Sequence, residues 1–153
     1  MFKQMQKIIV FFFVIFLTFS AYCQAKDEYF LTLRNDKVNL RQGPSFKYPI
    51  KIFYNKKFLP VLIQDTSENF RKIRDHENNS GWIHISQLSK KKAAIVIDED
   101  LIMFKSSTIY SNPVAVLEKG RLVKIYKCKK SWCKVKSSKF KGWIKKESLW
   151  GLF

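Results

Sequence analysis

The sequence predicts an all-β protein in which two small barrels or sandwiches follow each other along the chain. The first observation is a repeat. Gly-Trp-Ile, four variable residues and then leucine occur at residues 81–88 and again at 142–149, an offset of 61 residues. Three other segments recur in the same order, namely 38–41 with 101–104, 59–63 with 122–126, and 70–73 with 132–135. These ordered repeats indicate an internal duplication of about 60 residues, the size of a small domain.

Short apolar segments bounded by turn residues are the second observation. Strands are predicted in the first copy at residues 38–41, 52–54, 58–63, 70–74 and 82–85. Strands of roughly 4 to 8 residues with turns every 8 to 12 are typical of small β-barrels or sandwiches. Residues 26–37 are expected to be a mobile start or the lead-in to the first strand. Residues 89–94 are the best linker candidate, and 93–97 could add a strand to either copy.

Residues 1–25 have the pattern of a secretory signal peptide: a basic start, an apolar run over residues 8–19 and a small-residue exit. Cleavage after Ala25 would leave residues 26–153 in the periplasm or secreted, so nucleic acid is not an expected partner. Lipidation at Cys23 is one alternative. An uncleaved signal anchor is the other and would be the only expected membrane contact, although the run is short against the roughly 20 residues of a bilayer span.

The positive charge of the chain is concentrated in its second copy. The whole sequence has a formal net charge of +17. Residues 26–100 hold 14 basic and 10 acidic residues, a net charge of +4, whereas residues 101–153 hold 13 and 2, a net charge of +11. Such a field favours anionic partners, including lipid headgroups and acidic wall polymers. The alternative is a solvated basic face that serves solubility alone.

Cleavage of the signal peptide would leave two cysteines, Cys128 and Cys133. In an oxidising compartment such a pair is interpreted first as a disulfide. The four residues between them can form a hairpin loop, which brings directly opposed strand residues close enough for an S–S bond. Their spacing is unusual for a zinc pair, and no second Cys/His pair completes such a site. The alternative is two free thiols.

The order of these segments resembles the bacterial SH3-like (SH3b, SH3 type 4-like) family. In the first copy the resemblance is carried by residues 38–41, by Gly43-Pro44-Ser45, by the strand at 70–73 and by Gly-Trp-Ile at 81–83. The second copy is similar to the variant with cysteines flanking a hairpin, and the pair of copies resembles secreted SH3-domain proteins of Alphaproteobacteria. The Gly-Pro-Ser motif that follows the first of these strands has no counterpart after residues 101–104.

The resemblance implies two tandem small SH3-like half-open β-barrels after an N-terminal signal peptide. The expected domains are 1–25 for the signal peptide, 26–90 for the first barrel and 91–153 for the second. It also implies binding rather than catalysis, with a peptidoglycan-related cell-wall ligand as the expected partner. The alternative is a protein–protein interaction scaffold or accessory subunit in the periplasm, which would use exposed strand edges and the apolar end at 150–153.

Ligand binding by the first copy is expected to use a groove lined by aromatic rings near a cation. The candidate residues are Arg41, Tyr48, Tyr54 and Trp82. Tyrosine suits such a surface because it offers an apolar ring face and a hydroxyl group. Phe70 could line the same groove, and the competing interpretation places Phe70 and Trp82 in the core. No catalytic, metal-binding or cofactor-binding residues are predicted, because no acid–base pair, ligand cluster or phosphate-binding loop is evident.

Overall fold

The computed structural model describes residues 27–152, so the predicted signal peptide lies outside the described residues. Within them, no helix is long and apolar enough to cross a membrane. The first seven strands are β1 to β7: Tyr29–Leu33, Val38–Arg41, Ile50–Tyr54, Pro60–Ser67, Phe70–Arg74, Ser80–His84 and Leu88–Ser89. The next seven are β8 to β14: Ala93–Val96, Leu101–Phe104, Pro113–Leu117, Leu122–Lys129, Trp132–Ser137, Phe140–Lys145 and Leu149–Trp150. A 3₁₀ turn precedes β7 and another precedes β14, at Ile85–Gln87 and Lys146–Ser148.

The two sheets have the same strand order, which confirms the all-β fold and the duplication. The first sheet runs β3-β2-β6-β5-β4-β1-β7 and the second runs β10-β9-β13-β12-β11-β8-β14. All the strand pairs are antiparallel. The strand β4 and its counterpart β11 each carry a register shift at the same place, after Ile63 and after Ile125. The expected boundary at residue 90 stays a prediction, while β7 ends at Ser89 and β8 begins at Ala93.

Alternation of side chains along each strand builds one core per barrel. In β6, Ile83 is fully buried, whereas its neighbours Trp82 and His84 are only half-buried and point to the opposite face. Burying one such aliphatic side chain stabilises the fold by about 1.5–3 kcal/mol. The larger buried side chains of the first core come from several strands: Leu33, Leu40, Val61, Ile63, Ile73 and Ile83. Those of the second are Val96, Met103, Val123, Val135, Ile144 and Leu149.

The glycine of each Gly-Trp-Ile segment is required by close packing of backbone. A Cβ atom on Gly81 would lie 2.6 Å from the backbone oxygen of Arg41. A Cβ atom on Gly142 would lie 2.6 Å from the backbone oxygen of Phe104. Real Cβ atoms do not approach other atoms this closely. Both copies of the repeat therefore have glycine where two neighbouring strands pack closely.

The strand β8 joins the two cores. All four of its residues are buried. Ala94 and Val96 belong to the second core, whereas Ile95, 1% exposed, belongs to the first. The open question of which copy residues 93–97 join is therefore answered for β8: it pairs with β11 and β14 of the second sheet while filling the core of the first barrel. Residues 26–37 were expected to be a mobile start or the lead-in to the first strand. The structure places the strand β1 within this range.

The disulfide prediction is confirmed. Cys128 and Cys133 are directly opposed across the hairpin of β11 and β12, and their sulfur atoms are bonded. The corresponding positions of the first barrel hold Thr66 and Arg71, which are opposed in the same way. The covalent link therefore belongs to the second barrel alone among the residues that the structure describes.

Candidate functional site

Arg41 organises the turn between β2 and β3. Its guanidinium Nη1 donates hydrogen bonds to the backbone oxygens of Phe46, at 3.1 Å, and Tyr48, at 2.9 Å. The backbone N–H of Gln42 closes the base of the turn by donating to Pro49 at 3.1 Å. These bonds bend the turn back over the outer face of the sheet. Arg41 is thus a candidate ligand-binding residue whose side chain also stabilises the turn that follows it.

The bent turn places Phe46 on top of two side chains from neighbouring strands. Its ring centroid lies 5.2 Å from that of Phe70 and 5.1 Å from that of His84, and the Phe70 and His84 rings are also 5.1 Å apart. Arg41 completes the group, with its guanidinium carbon 5.4 Å from the Phe46 centroid. We call these four residues, Arg41, Phe46, Phe70 and His84, the aromatic cluster.

Exposure separates the upper and lower parts of the aromatic cluster. Phe70 is 6% exposed, whereas Phe46 is 64% exposed. The imidazole of His84 is held from below, because its Nδ1 accepts the backbone N–H of Ser86 at 3.3 Å and lies 2.7 Å from the Ser86 hydroxyl. Phe46 is therefore a large apolar ring presented to solvent on a fixed base. A cation beside it is available for electrostatic contact with a ligand.

Two other predicted site residues lie at the edges of this cluster. Trp82 is directly opposed to Arg41 on one side and to Lys72 on the other, so its half-buried side chain shares the outer face. Tyr48 is 47% exposed, and its ring covers Gly43, where a Cβ atom would lie 2.6 Å from the ring carbons. The structure therefore brings Arg41, Tyr48 and Trp82 to one region of the first barrel.

Tyr54 lies elsewhere. Its side chain is 9% exposed and belongs to the first core, and its hydroxyl donates to Asp75 Oδ2 at 2.8 Å. Burial, together with the hydrogen bond and charge of Asp75, raises the pKa of the Tyr54 phenol far above its usual value. Asp75 Oδ1 accepts the backbone N–H groups of Glu77 and Asn79, at 2.9 and 2.8 Å. Tyr54 thus anchors the loop between β5 and β6 and lies in the core, outside the aromatic cluster.

Phe46 and His84 are cluster residues that were not predicted from sequence, and the more exposed of the two is Phe46. It sits in a turn between polar and small residues, where hydrophobic periodicity gives no information. The sequence held only an indirect signal for this placement. An arginine at the end of a strand can donate hydrogen bonds to the backbone oxygens of the turn that follows it. A phenylalanine inside such a turn has no core to enter. It must pack on the outer face of the sheet or remain in water.

The second barrel has a different set of side chains at the equivalent positions. Phe104 is opposed to Trp143 as Arg41 is to Trp82. The Phe104 ring meets Trp132, the counterpart of Phe70, edge to face at 5.9 Å. A shallow hollow of about 280 Å³ lies beside this pair, between Asp98 and Lys145. The corresponding turn carries Tyr110, whose side chain is 92% exposed.

A larger cleft lies at the junction of the barrels and contains none of the predicted site residues. Its volume is about 580 Å³. It is lined by residues 29–32 of the first strand, by residues 90–93, and by Gly151 and Leu152. Its lysines, Lys90, Lys91 and Lys92, come from the predicted linker, so the linker borders a concave surface.

Groups that could hold a metal ion are not brought together in the part of the chain that the structure describes. No three of the His, Cys, Asp and Glu side chains of residues 27–152 are placed to hold a metal ion. Cys128 and Cys133 are bonded to each other. The outer face of the first barrel is built from rings and cations.

Comparison with known proteins gives one family. The family described as "Bacterial SH3 domain" matches residues 34–90 and again residues 103–151. No curated protein sequence matches this chain. Two solved structures are similar in part. One is NlpC2 from Trichomonas vaginalis, with a TM-score of 0.37 and 11% identity over 83% of this chain and 49% of that chain. The other is NlpC1 from the same organism, with a TM-score of 0.36 and 14% identity over 85% of this chain and 48% of that chain.

This chain spans about half the length of those two structures. The family match includes both copies of the repeat, each with its Gly-Trp-Ile strand, and covers more than half of the 153 residues. Together with the duplicated strand order, it shows that the chain belongs to the bacterial SH3 domain family, with two copies in tandem.

Proposed function

We propose that this protein is a non-enzymatic, exported binding protein of the cell envelope. Its first barrel recognises a peptidoglycan-related ligand through the aromatic cluster, with Tyr48 and Trp82 at the edges. The observation that carries the proposal is the exposure of Phe46, a 64% exposed ring fixed on Phe70 and His84. Membership of the bacterial SH3 domain family supports a binding role.

The chemistry of the cluster suits a ligand with both apolar and anionic parts. Fixed aromatic rings lose little conformational entropy on binding, which is why they serve as anchors at recognition surfaces. The guanidinium of Arg41 lies beside Phe46 and can attract a carboxylate. Peptidoglycan stem peptides carry carboxylates next to short aliphatic side chains. A stem peptide could therefore place its aliphatic part on Phe46 and its carboxylate toward Arg41.

Two features support a location outside the cytoplasm. The first 25 residues have the pattern of a secretory signal peptide. The disulfide between Cys128 and Cys133 is the kind of bond that persists in oxidising compartments. Both features agree with a ligand that belongs to the envelope.

The experiment that tests the proposed function is retention on isolated peptidoglycan by residues 27–153, which contain all the described strands. Phe46→Ala removes the exposed ring and is expected to weaken retention by about thirtyfold, the loss typical of a hot-spot residue. Tyr110→Ala is the matched control, because Tyr110 occupies the corresponding turn of the second barrel. Equal retention of the two folded variants would reject the aromatic cluster as the site.

The second candidate function is a protein-interaction scaffold, favoured by an apolar patch at the edge of the second sheet. Val116 and Ile102 are directly opposed on β10 and β9, and both are exposed. The apolar end is less available, since Trp150 packs edge to face on Phe30 at 4.9 Å. Crosslinking in cells to one dominant protein, lost in Val116→Ser, would favour this function over wall recognition.

A further inference from the structure

The outer face of β11, β12 and β13 carries lysines in three rows across neighbouring strands. One row is Lys124, Lys136 and Lys141, in which each residue is directly opposed to the next. The remaining two rows are Lys127, Lys134 and Trp143, and Lys129, Trp132 and Lys145. We call the seven lysines of these rows the lysine face. Adjacent strands are about 4.8 Å apart, so the ammonium groups form a dense two-dimensional array.

The same nine positions of the first barrel carry far less charge. Their rows are Leu62, Arg74 and Ser80; Asp65, Lys72 and Trp82; and Ser67, Phe70 and His84. With histidine neutral, these positions have a net charge of +1, against +7 for the lysine face. The shared strand register does not require the lysines, because the first barrel forms the same sheet without them.

The arrangement of the lysine face is unfavourable for the isolated protein. Like charges directly opposed on neighbouring strands destabilise a sheet. Among the residues that the structure describes, a carboxylate pairs with one of the seven lysines, where Lys145 lies 3.1 Å from Glu147. Three others lie over aromatic rings: Lys124 over Phe58 at 4.6 Å, Lys141 over Tyr126 at 5.3 Å and Lys127 over Trp143 at 5.9 Å. These contacts offset part of the repulsion, and an external anion would relieve the rest.

We propose that the lysine face docks the protein on an anionic lipid surface. A linear polymer would engage one row of cations, whereas an array three strands wide and three residues deep matches a plane of headgroups. All seven basic residues are lysines, which act as point charges in a surface potential, and arginine, suited to bidentate contacts with single phosphates, is missing from them.

Aromatic side chains of the same region support this occupant. Tyr126, in the middle of β11, is exposed, and Lys141 of the lysine face lies over its ring. Trp132 and Trp143 are half-buried on the lysine face itself. Aromatic rings of this kind favour the interface between water and lipid. The proposal adds a membrane contact to the single one expected from sequence, an uncleaved signal anchor.

The test is co-sedimentation of residues 27–153 with vesicles of phosphatidylglycerol and phosphatidylcholine, and with vesicles of phosphatidylcholine alone. The protein is expected to sediment with the anionic vesicles only. The variant Lys124→Gln, Lys136→Gln, Lys141→Gln is expected to bind on the order of a hundredfold more weakly at low salt, since each lysine near an anionic surface contributes about fivefold.

The matched control removes three exposed lysines from outside the face, Lys37→Gln, Lys56→Gln and Lys90→Gln, and loses the same net charge. Its binding is expected to fall much less. Equal losses in the two triple variants would overturn the lysine face as the docking site. Binding to soluble polyphosphate without binding to anionic vesicles would overturn the lipid as its occupant.

Thermal unfolding of each variant separates loss of binding from loss of structure. The Lys124, Lys136 and Lys141 variant loses like-charge contacts together with the ring contacts of Lys124 and Lys141, so its unfolding temperature is expected to stay close to that of the wild type. The inference is independent of the proposed wall site, because the lysine face shares no residue with the aromatic cluster. Retention on peptidoglycan at high salt is therefore expected to survive in this variant, whatever the result with vesicles.

Discussion

The two barrels have the same strand order and register but present different chemistry to solvent. The first carries an exposed phenylalanine, an arginine and a histidine around one turn. The second carries seven lysines across three strands and a disulfide in the same hairpin. Since the register is set by buried residues such as Ile83 and Ile144, the outer faces were free to diverge. A duplicated fold can thus present two chemically different surfaces.

The barrels also differ in a buried polar pair that is present only in the first of them. In the first, the hydroxyl of Tyr54 bonds to the buried carboxylate of Asp75. In the second, the corresponding pair is Leu117 and Ser137, and the following loop is shorter, because Ser137 is opposed to Phe140 in a tight hairpin. The loop of the first barrel thus depends on a polar network, whereas that of the second needs only a tight turn.

The largest expected loss of stability comes from a substitution in β8, and it tests whether the two barrels unfold independently. Ile95 is carried by the second sheet and buried in the core of the first barrel. Ile95→Ala is expected to lower the free energy of unfolding by about 2–5 kcal/mol, the loss for a buried aliphatic side chain. Urea unfolding followed by tryptophan fluorescence and by circular dichroism is expected to show one coincident transition, shifted to lower urea.

The control for this prediction is Ile97→Ala, two residues along the chain and exposed. It is expected to change the free energy of unfolding by less than about 0.5 kcal/mol. Two separate transitions in the wild-type protein, with only one of them shifted by Ile95→Ala, would show that the barrels fold independently and contradict a shared core.

The next largest change in stability is expected from the disulfide of the second barrel. Reduction of the disulfide between Cys128 and Cys133 is expected to lower the free energy of unfolding by about 2 kcal/mol, because the bond restricts a short loop of the unfolded chain. The exposed side of Cys128 gives a reductant access. Urea unfolding with and without dithiothreitol measures the difference. A midpoint that does not move would mean that the β11–β12 hairpin is held by its strand pairing alone.

The smallest expected change in stability comes from a hydrogen bond of the first barrel. Tyr54→Phe removes one hydrogen bond to Asp75, whose carboxylate keeps its bonds to Asn79 and Glu77, and is expected to cost about 1 kcal/mol at pH 7. Because the pKa of Tyr54 is raised in the folded state, the neutral phenol contributes stability below the unfolded pKa of about 10 and loses it as pH rises further.

The difference in stability between wild type and Tyr54→Phe is therefore expected to shrink above pH 10. Urea unfolding of both proteins at pH 7, 9.5 and 11 would measure it, and the subtraction cancels the titration of the lysines that both share. A difference that stays constant across this range would contradict the burial of a neutral Tyr54 phenol.

Sequence patterns were sufficient for the features fixed by strong local rules. The Gly-Trp-Ile strands were predictable because glycine is the one residue that fits where Gly81 meets the backbone of Arg41. The disulfide was predictable because Cys128 and Cys133 flank a loop of hairpin length. Both predictions depend on contacts between residues that the spacing of the sequence brings together.

Features that depend on the packing of distant segments were not predictable. Phe46 enters the site only because Arg41 folds its turn back over the sheet. Tyr54 was placed in the groove, although its alternation with Ile52 on one strand pointed to the core face. The role of β8 had a signal, since a continuous apolar segment indicates a strand covered on both faces. The partner that covers it was not evident from sequence.

Recognition of the wall by the first barrel can be measured as retention of residues 27–153 on isolated peptidoglycan at about 0.05 M and at about 1 M salt, where the Debye length falls to about 3 Å. Retention of the wild-type protein is expected to survive high salt, whereas Phe46→Ala is expected to be released. Release of the wild-type protein at high salt would rule out this recognition. The wall contact would then be simple attraction by the charge of the second barrel, and the first barrel would have no recognition site for the wall.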